Sequence, residues 1–226
     1  MRHQPPRCFL FTAIAMGLAA STATAQSLNV DIGTLFGVPS SSYGGMADSP
    51  GVWNEVDMSL AIGAKIPLVD LAGNPTPVTI EFTQKGSGNY GFNNAATSGD
   101  DGALLDDLCD IGSTSTGTVV RYTFRNLVNG TYQVYAYSWA PDNRAFFKTN
   151  VISLSGALGL QPCGGVLWPG AHVLGGAYVI DKGVTTNGRL NIEFSAAAGF
   201  GSAPGIQLAG PLARAGPPGG DSTAGP

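Results

Sequence analysis

The chain has 226 residues, of which 43% are hydrophobic, and its 11 Lys/Arg and 15 Asp/Glu give a net charge of -4. A nucleic-acid or anionic-membrane surface needs a basic patch, so the acidic balance argues against both partners. The acidic character mainly favours solubility.

Residues 1–25 predict a secretory signal peptide. MRHQPPR carries two arginines, the run CFLFTAIAMGLAA is apolar, and the small residues Ala23 and Ala25 suit a cleavage site. The run is shorter than the roughly 20 apolar residues that span a bilayer, and no later segment is longer, so we expect no transmembrane segment. The mature protein should be secreted, either extracellular or periplasmic. Without Arg2 and Arg7 it carries nine Lys/Arg and fifteen Asp/Glu.

Residues 26–210 are expected to form a single β-domain, because hydrophobic residues there recur mostly with a period of two. Turn-forming Gly, Asn, Pro and Ser clusters separate ten predicted strands: 28–33, 52–57, 67–73, 77–83, 118–127, 131–139, 147–155, 176–183, 189–196 and 205–210. We therefore predict an all-β fold, an antiparallel jelly-roll β-sandwich, with a closed barrel as the alternative. Residues 211–226 are Gly- and Pro-rich and are predicted to be a disordered tail.

Two Asn-Gly pairs lie between consecutive predicted strands. Asn129-Gly130 and Asn187-Gly188 can supply the positive φ angles of tight turns, so each predicts an antiparallel hairpin. In the flanking strands, Val120, Tyr122 and Phe124 alternate with polar residues, as do Leu190, Ile192 and Phe194. Each strand should therefore bury one face.

The stretch DDGALLDDLCD (100–110) predicts one short helix near residues 102–109. Leu104, Leu105, Leu108 and Ile111 fall on one side of a helix, which leaves Asp106, Asp107 and Asp110 facing outward. Asp100 and Asp101 would cap its N-terminus. A structural Ca²⁺ site at Asp100 and Asp101 is the alternative, although the spacing of a calcium-binding loop is absent.

After cleavage Cys109 and Cys163 are the only cysteines, an even pair in a chain bound for an oxidising compartment. We expect a Cys109–Cys163 disulfide. The alternative is two free, buried thiols.

The order of segments resembles a known family. An early DIG strand, YGG, GVWNEV, LVDLAGNPTPVTIEF, the hairpin-like Leu127–Tyr137 and a closing GIQL are similar to galactose-binding-like β-sandwich domains of secreted bacterial proteins, which include malectin-like and carbohydrate-binding-module-like domains. The resemblance covers about Val30 to Leu208. It implies a jelly roll that often binds carbohydrate through its loops and often carries a structural Ca²⁺.

Loop residues supply candidates for sugar binding, in which an aromatic ring stacks on a sugar and amides or acids bond its hydroxyls. The sharpest is SWAPDNR, where Trp139 ends a strand and a turn follows. Trp53 is interpreted as a core residue. The expected ligand-binding residues are Trp139, Asp142, Asn143, Arg144, Tyr90, Asn93 and Trp168.

Catalysis has little support. After cleavage His172 is the only histidine, no GxSxG motif is present, and the acidic side chains could form a hydrolase pair only by arbitrary choice. We predict a secreted, non-catalytic carbohydrate-binding protein that requires no cofactor. The alternatives are a structural matrix or surface protein without a small ligand and, with less support, a carboxylate-based glycoside hydrolase.

Overall fold

The computed structural model describes residues 26–142, 144–156 and 158–212. The predicted signal peptide, Asn143 and the predicted tail beyond Leu212 lie outside these residues. Two single-turn 3₁₀ helices occur at Gly45–Ala47 and Thr114–Thr116. The other elements are β1 (Leu28–Ile32), β2 (Trp53–Val56), β3 (Ile66–Val69), β4 (Pro75–Phe82), β5 (Gly88–Gly91), α1 (Gly99–Leu105), β6 (Asp107–Ser113), β7 (Val119–Arg125), β8 (Gly130–Tyr137), β9 (Lys148–Ser153), β10 (Gln161–Gly164), β11 (Tyr178–Thr185), β12 (Leu190–Ala198), β13 (Phe200–Ala203) and β14 (Gly205–Ala209).

The fold is an all-β sandwich, as predicted. The first sheet has the order β11-β8-β14-β1-β2, the second β10-β9-β12-β7-β4-β3, and a third, smaller sheet β13-β6-β5. Four strands of the first sheet (β1-β14-β8-β11) and four of the second (β7-β12-β9-β10) have the strand order of a jelly roll. The strands pair antiparallel except β1 and β2, which are parallel and depart from the predicted antiparallel pattern.

The main core lies between the two large sheets. The predicted alternation is confirmed on β7 and β12, where Val120, Tyr122 and Phe124 are fully buried and face Phe194, Ile192 and Leu190 in register. All ten predicted strands are present. Four strands were missed: β5, β6, β10 and β13, three of which form the third sheet.

The two predicted hairpins are wrong. β7 belongs to the second sheet and β8 to the first, and β11 and β12 are divided in the same way. Each Asn-Gly segment therefore carries the chain from one sheet to the other. The two connections lie side by side, because the Gly188 N–H donates to Asn129 Oδ1 over 2.8 Å and the Leu127 N–H donates to the Gly188 carbonyl over 3.0 Å.

The predicted helix begins and ends earlier than expected. It covers Gly99–Leu105, and the chain from Asp107 onward is strand β6, which pairs with β5 and β13. Asp106 ends the helix and Asp107 begins the strand, and both are buried rather than outward. Each carboxylate accepts two hydrogen bonds there, Asp106 from Asn94 and Thr97 and Asp107 from Leu35 and Phe36. The helix follows Ser98, and Asp100 and Asp101 lie in its first turn.

A second apolar cluster covers the outer face of the first sheet. It is built from Trp53, Leu104, Leu105, Tyr137, Trp139, Ala177 and Tyr178. A polar network crosses the same face, where Tyr137 Oη donates to Gln207 Oε1 over 2.5 Å and Gln207 Nε2 donates to Asn29 Oδ1 over 2.8 Å. The first sheet is therefore buried on both sides, and α1 with its neighbouring loops forms a third layer.

The predicted disulfide is absent. Cys109 and Cys163 are free and buried. The Sγ of Cys109 lies 3.4 Å from the Lys85 carbonyl, and that of Cys163 lies 3.2 Å from the Ser138 carbonyl. The two thiols belong to different sheets, β6 in the third and β10 in the second, and each has its own partner. Within the described residues, no helix is long and apolar enough to cross a membrane.

Candidate functional site

A surface cavity of about 250 Å³ lies over the third sheet. Its base comes from β5, β6 and β13, and its other wall is the loop that leads from β8 to β9. The lining residues are Tyr90, Leu108, Asp110, Ala140, Pro141, Asp142, Arg144, Phe147, Phe200, Gly201 and Ser202. We refer to it as the Tyr90 cavity.

Aromatic side chains form much of its wall. The Phe147 and Phe200 rings lie 5.3 Å apart, and Phe146 packs on Phe147 at 4.5 Å. Tyr90 is 37% exposed and Phe200 is also exposed. Large aromatic side chains are usually buried, because burial of their apolar surface stabilises the fold. Solvent therefore reaches aromatic faces in a concave site, an arrangement typical of ligand pockets.

Charged groups stand beside these rings. Arg144 Nε donates to Asp142 Oδ2 over 3.3 Å, and Arg144 is largely exposed. Asp110 lines the cavity from β6, and its Oδ1 accepts the Gly112 N–H over 2.8 Å. Burial, and then the nearby carboxylates of Asp142 and Asp110, raise the pKa of Tyr90. The phenol therefore stays a neutral hydrogen-bond donor and acceptor at neutral pH.

The loop that carries Asp142 is anchored by the buried side-chain amide of Asn94. Asn94 Nδ2 donates to the Pro141 carbonyl over 2.6 Å, while the Asn94 N–H donates to Asp106 Oδ2 over 3.1 Å. Thr97 Oγ1 donates to the other oxygen of Asp106 over 2.6 Å. Burial raises the pKa of Asp106, and these two hydrogen bonds oppose that shift. The end of α1 thus fixes one wall of the cavity.

Three predicted ligand-binding residues, Tyr90, Asp142 and Arg144, come together in this cavity. Asn93 is exposed but does not line it. Asn143 lies outside the described residues.

Trp139 and Trp168 lie elsewhere. Trp139 was expected on an exposed loop surface, but it is 1% exposed, and its Nε1 donates to the Val166 carbonyl over 3.0 Å. Its ring packs against Trp168 at 5.4 Å in the cluster that covers the first sheet. Strand β8, which ends just before Trp139, is buried on both of its faces. The alternation of hydrophobic and polar residues predicts only one buried face, so it did not reveal the second.

Three charged or aromatic residues of the cavity lining were missed: Asp110, Phe147 and Phe200. Asp110 was placed on a helix rather than on β6. The available signal was the pair Phe146-Phe147 just before a predicted strand and Phe200 just after Gly199, since binding residues are concentrated on loops between strands.

Asp100 and Asp101 anchor a nearby loop. Asp100 accepts hydrogen bonds from the N–H and Oγ of Ser40, at 2.6 and 2.9 Å. Asp101 Oδ1 accepts the Tyr43 hydroxyl over 2.6 Å and lies 3.0 Å from His172 Nε2, which itself lies 2.8 Å from Tyr43 Oη. These contacts give both acids a structural role. Calcium binding at this pair stays a prediction.

No protein-family model matches the chain, and no curated protein matches it. Among solved structures, the chain is similar to a calcium binding mutant of Bacteroides uniformis beta-glucuronidase 2, at 14% identity and a TM-score of 0.50, over 84% of this chain and 19% of that one. The same enzyme covalently bound to cyclophellitol-6-carboxylate aziridine is similar at 14% identity and a TM-score of 0.47, over 81% and 18%. The chain spans about a fifth of the length of these neighbours, and the likeness concerns the fold.

Proposed function

We propose that this protein is a secreted, non-catalytic carbohydrate-binding β-sandwich protein and that the Tyr90 cavity is its sugar site. The observation that carries the proposal is the set of aromatic and charged side chains that converges there: Tyr90, Phe147 and Phe200 with Asp142 and Arg144. The signal-peptide pattern and the resemblance to galactose-binding-like domains support it.

The side chains suit a sugar because a pyranose has an apolar face and a rim of hydroxyls. An exposed ring such as Tyr90 or Phe200 can stack on the apolar face. The Asp142 carboxylate can accept hydrogen bonds from hydroxyls and the Arg144 guanidinium can donate to them. Arg144 is exposed and Asp142 is partly buried, so solvent screens this ion pair and it contributes little to stability. Both groups can therefore turn to a ligand in the cavity that they line.

The structural neighbour offers modest support. This neighbour is named as a beta-glucuronidase, and the fold of the present chain is similar to about a fifth of its length. A sandwich module in a carbohydrate-acting enzyme is consistent with a sugar ligand for this one.

The test is a glycan array followed by isothermal titration calorimetry with the sugar that is retained. Tyr90→Ala and Arg144→Ala should each weaken binding about tenfold or more, the usual effect of removing one good contact. Phe92→Ala and Arg189→Ala are matched controls, because both residues are exposed and outside the cavity lining. Retention of no sugar by the wild type would contradict the proposal, as would release of reducing ends from a bound polysaccharide, which would indicate the hydrolase.

A second candidate function is self-assembly as a matrix or surface protein. It is favoured by an exposed apolar groove of about 410 Å³ lined by Leu158, Leu160, Leu174 and neighbours on β10 and β11. Exposed apolar patches of this kind commonly mark interaction surfaces. Light scattering at rising concentration tests it. Leu160→Asp should abolish assembly, whereas Leu60→Asp, at another exposed leucine, should not.

A further inference from the structure

Asp31 on β1 is a buried acid without a hydrogen-bond partner. Its residue exposure is 0%, and among the described residues neither carboxylate oxygen has a partner. Val30 and Ile32, its neighbours, belong to the core between the sheets. Because side chains alternate along a strand, Asp31 points to the opposite, outer face of the first sheet.

Asp107 meets β1 on the same side. It is also 0% exposed, and its Oδ2 accepts the backbone N–H groups of Leu35 and Phe36 over 2.6 and 2.9 Å. Its Oδ1 is buried without a partner in the described structure. A Cβ on Gly33, two residues after Asp31, would lie 2.5 Å from Asp107 Cγ, so the carboxylate fills the space over the end of β1.

A third acid completes the group. Glu55 on β2 is the register partner of Asp31 in the parallel pair of strands, and it is exposed. Burial raises the pKa of Asp31, and the charges of Asp107 and then Glu55 raise it further. The nearby Ile32 N–H opposes this shift, but it donates its hydrogen bond to the Pro204 carbonyl over 2.7 Å. Burial is also the main cause of the raised pKa of Asp107. The charges of Asp107 and Glu55 therefore act on Asp31, and no Lys or Arg in the described structure forms an ion pair with any of the three.

An uncompensated buried carboxylate is costly, and two of them close together are more so. A bound cation removes this cost and uses the free oxygens. We propose that Asp31 and Asp107, with Glu55 at the rim, bind a hard divalent cation of the calcium class on the outer face of the first sheet. An oxygen-only donor set suits Ca²⁺.

The protein supplies only part of the coordination shell through charged groups. Among the described residues, no three His, Cys, Asp or Glu side chains already converge as metal ligands. Backbone carbonyls and water complete the roughly six to eight oxygens that Ca²⁺ takes. This location differs from the Asp100–Asp101 pair, whose oxygens are engaged with Ser40, Tyr43 and His172.

The experiment measures the thermal midpoint of the full chain after chelation and again with added CaCl₂. Calcium should raise the midpoint of the wild type by about 5 °C, because a ligand that binds only the folded state stabilises it. Asp31→Asn and Asp107→Asn should abolish this shift. Asp100→Asn should keep it, and this variant separates the two acidic sites.

Calorimetry with Ca²⁺ covers the case in which Asp31→Asn or Asp107→Asn fails to fold. The wild type should bind one Ca²⁺ per chain, and Glu55→Gln, at an exposed position, should bind it about tenfold more weakly. A chelated wild type that neither binds Ca²⁺ nor shifts its midpoint overturns the proposal, as does a calcium shift that survives Asp31→Asn. Sugar binding at the Tyr90 cavity is measured separately, so either proposal can fail alone.

Discussion

Asn94 donates its side-chain N–H to the carbonyl of Pro141, and this 2.6 Å bond joins the segment before α1 to the loop that walls the Tyr90 cavity. Asn94 is 2% exposed and is itself oriented by Asp106. The buried Asn94 amide thus positions the loop with Asp142 and Arg144, although Asn94 itself does not line the cavity. The position of this cavity wall therefore depends on the Asn94–Pro141 hydrogen bond.

Replacing Asn94 by Ala should lower the free energy of unfolding by about 1–3 kcal/mol, because the Pro141 carbonyl loses its buried donor and the Ala96 N–H loses the Asn94 Oδ1 acceptor. Urea denaturation measures the loss. Asn93→Ala is the matched control, since its side chain is exposed, and it should change stability by less than about 0.5 kcal/mol. Equal losses in the two variants would contradict the role given to Asn94.

Trp139→Ala should destabilise the protein by about 3–5 kcal/mol, the usual cost of removing a large buried aromatic side chain. The variant would also leave the Val166 carbonyl without its indole donor. Phe146→Ala, at an exposed aromatic position in the loop that leads to β9, should cost far less. Thermal unfolding compares the two, and a small effect of Trp139→Ala would show that the ring is exposed in solution.

Alternating hydrophobic residues predicted the strands well because burial of one face demands that period. Val120, Tyr122 and Phe124 gave β7 in this way, with the correct inward face. The pattern could not say which sheet each strand joins. Asn129-Gly130 permits a left-handed turn, but the same backbone freedom serves a connection between sheets, and only the pairing of β7 with β12 decides between them.

The candidate site was predicted only where a short segment of the sequence carries its own chemical signal. Tyr90, Asp142 and Arg144 were identified from local aromatic and turn chemistry. Phe200 comes from a strand more than 50 residues away in sequence, and its place depends on the pairing of β13 with β6. β6 itself was hidden, because the leucine spacing of residues 104–111 fits a helix and DLCDIGS shows no clear alternation.

The two cysteines should react with a thiol reagent only after unfolding. Burial raises the pKa of each thiol to about 12, so the reactive thiolate is scarce at pH 8 as well as inaccessible. Ellman's reagent should detect almost no thiol in the native protein and two thiols per mature chain in guanidinium without reductant. Detection of none in guanidinium would instead indicate the Cys109–Cys163 disulfide.

The bond of Asp101 with His172, and then that with Tyr43, lowers the pKa of the Asp101 carboxyl, whereas its partial burial opposes the shift. A carboxyl whose pKa is lower in the folded state contributes stability above its ordinary pKa of about 3.9 and loses it as the pH falls through the lowered value. The free energy of unfolding should therefore fall as the pH drops below about 4, in part because Asp101 becomes protonated. A third of the side chain is exposed, so solvent screening keeps the contribution modest.

Asp101→Asn should accordingly lower the free energy of unfolding at pH 7 by about 1 kcal/mol, less than the roughly 1.5–3 kcal/mol of a charged hydrogen bond, because the carboxyl is partly exposed. The difference between wild type and variant should shrink as the pH is lowered below about 4, because the wild-type carboxyl then becomes protonated as well. Urea denaturation at pH 7 and near pH 3 measures both differences. Tyr43→Phe removes one donor and keeps the carboxyl, so this variant should retain the pH dependence that Asp101→Asn loses. A difference that stays constant between the two pH values would show that Asp101 acts through packing rather than through its charge.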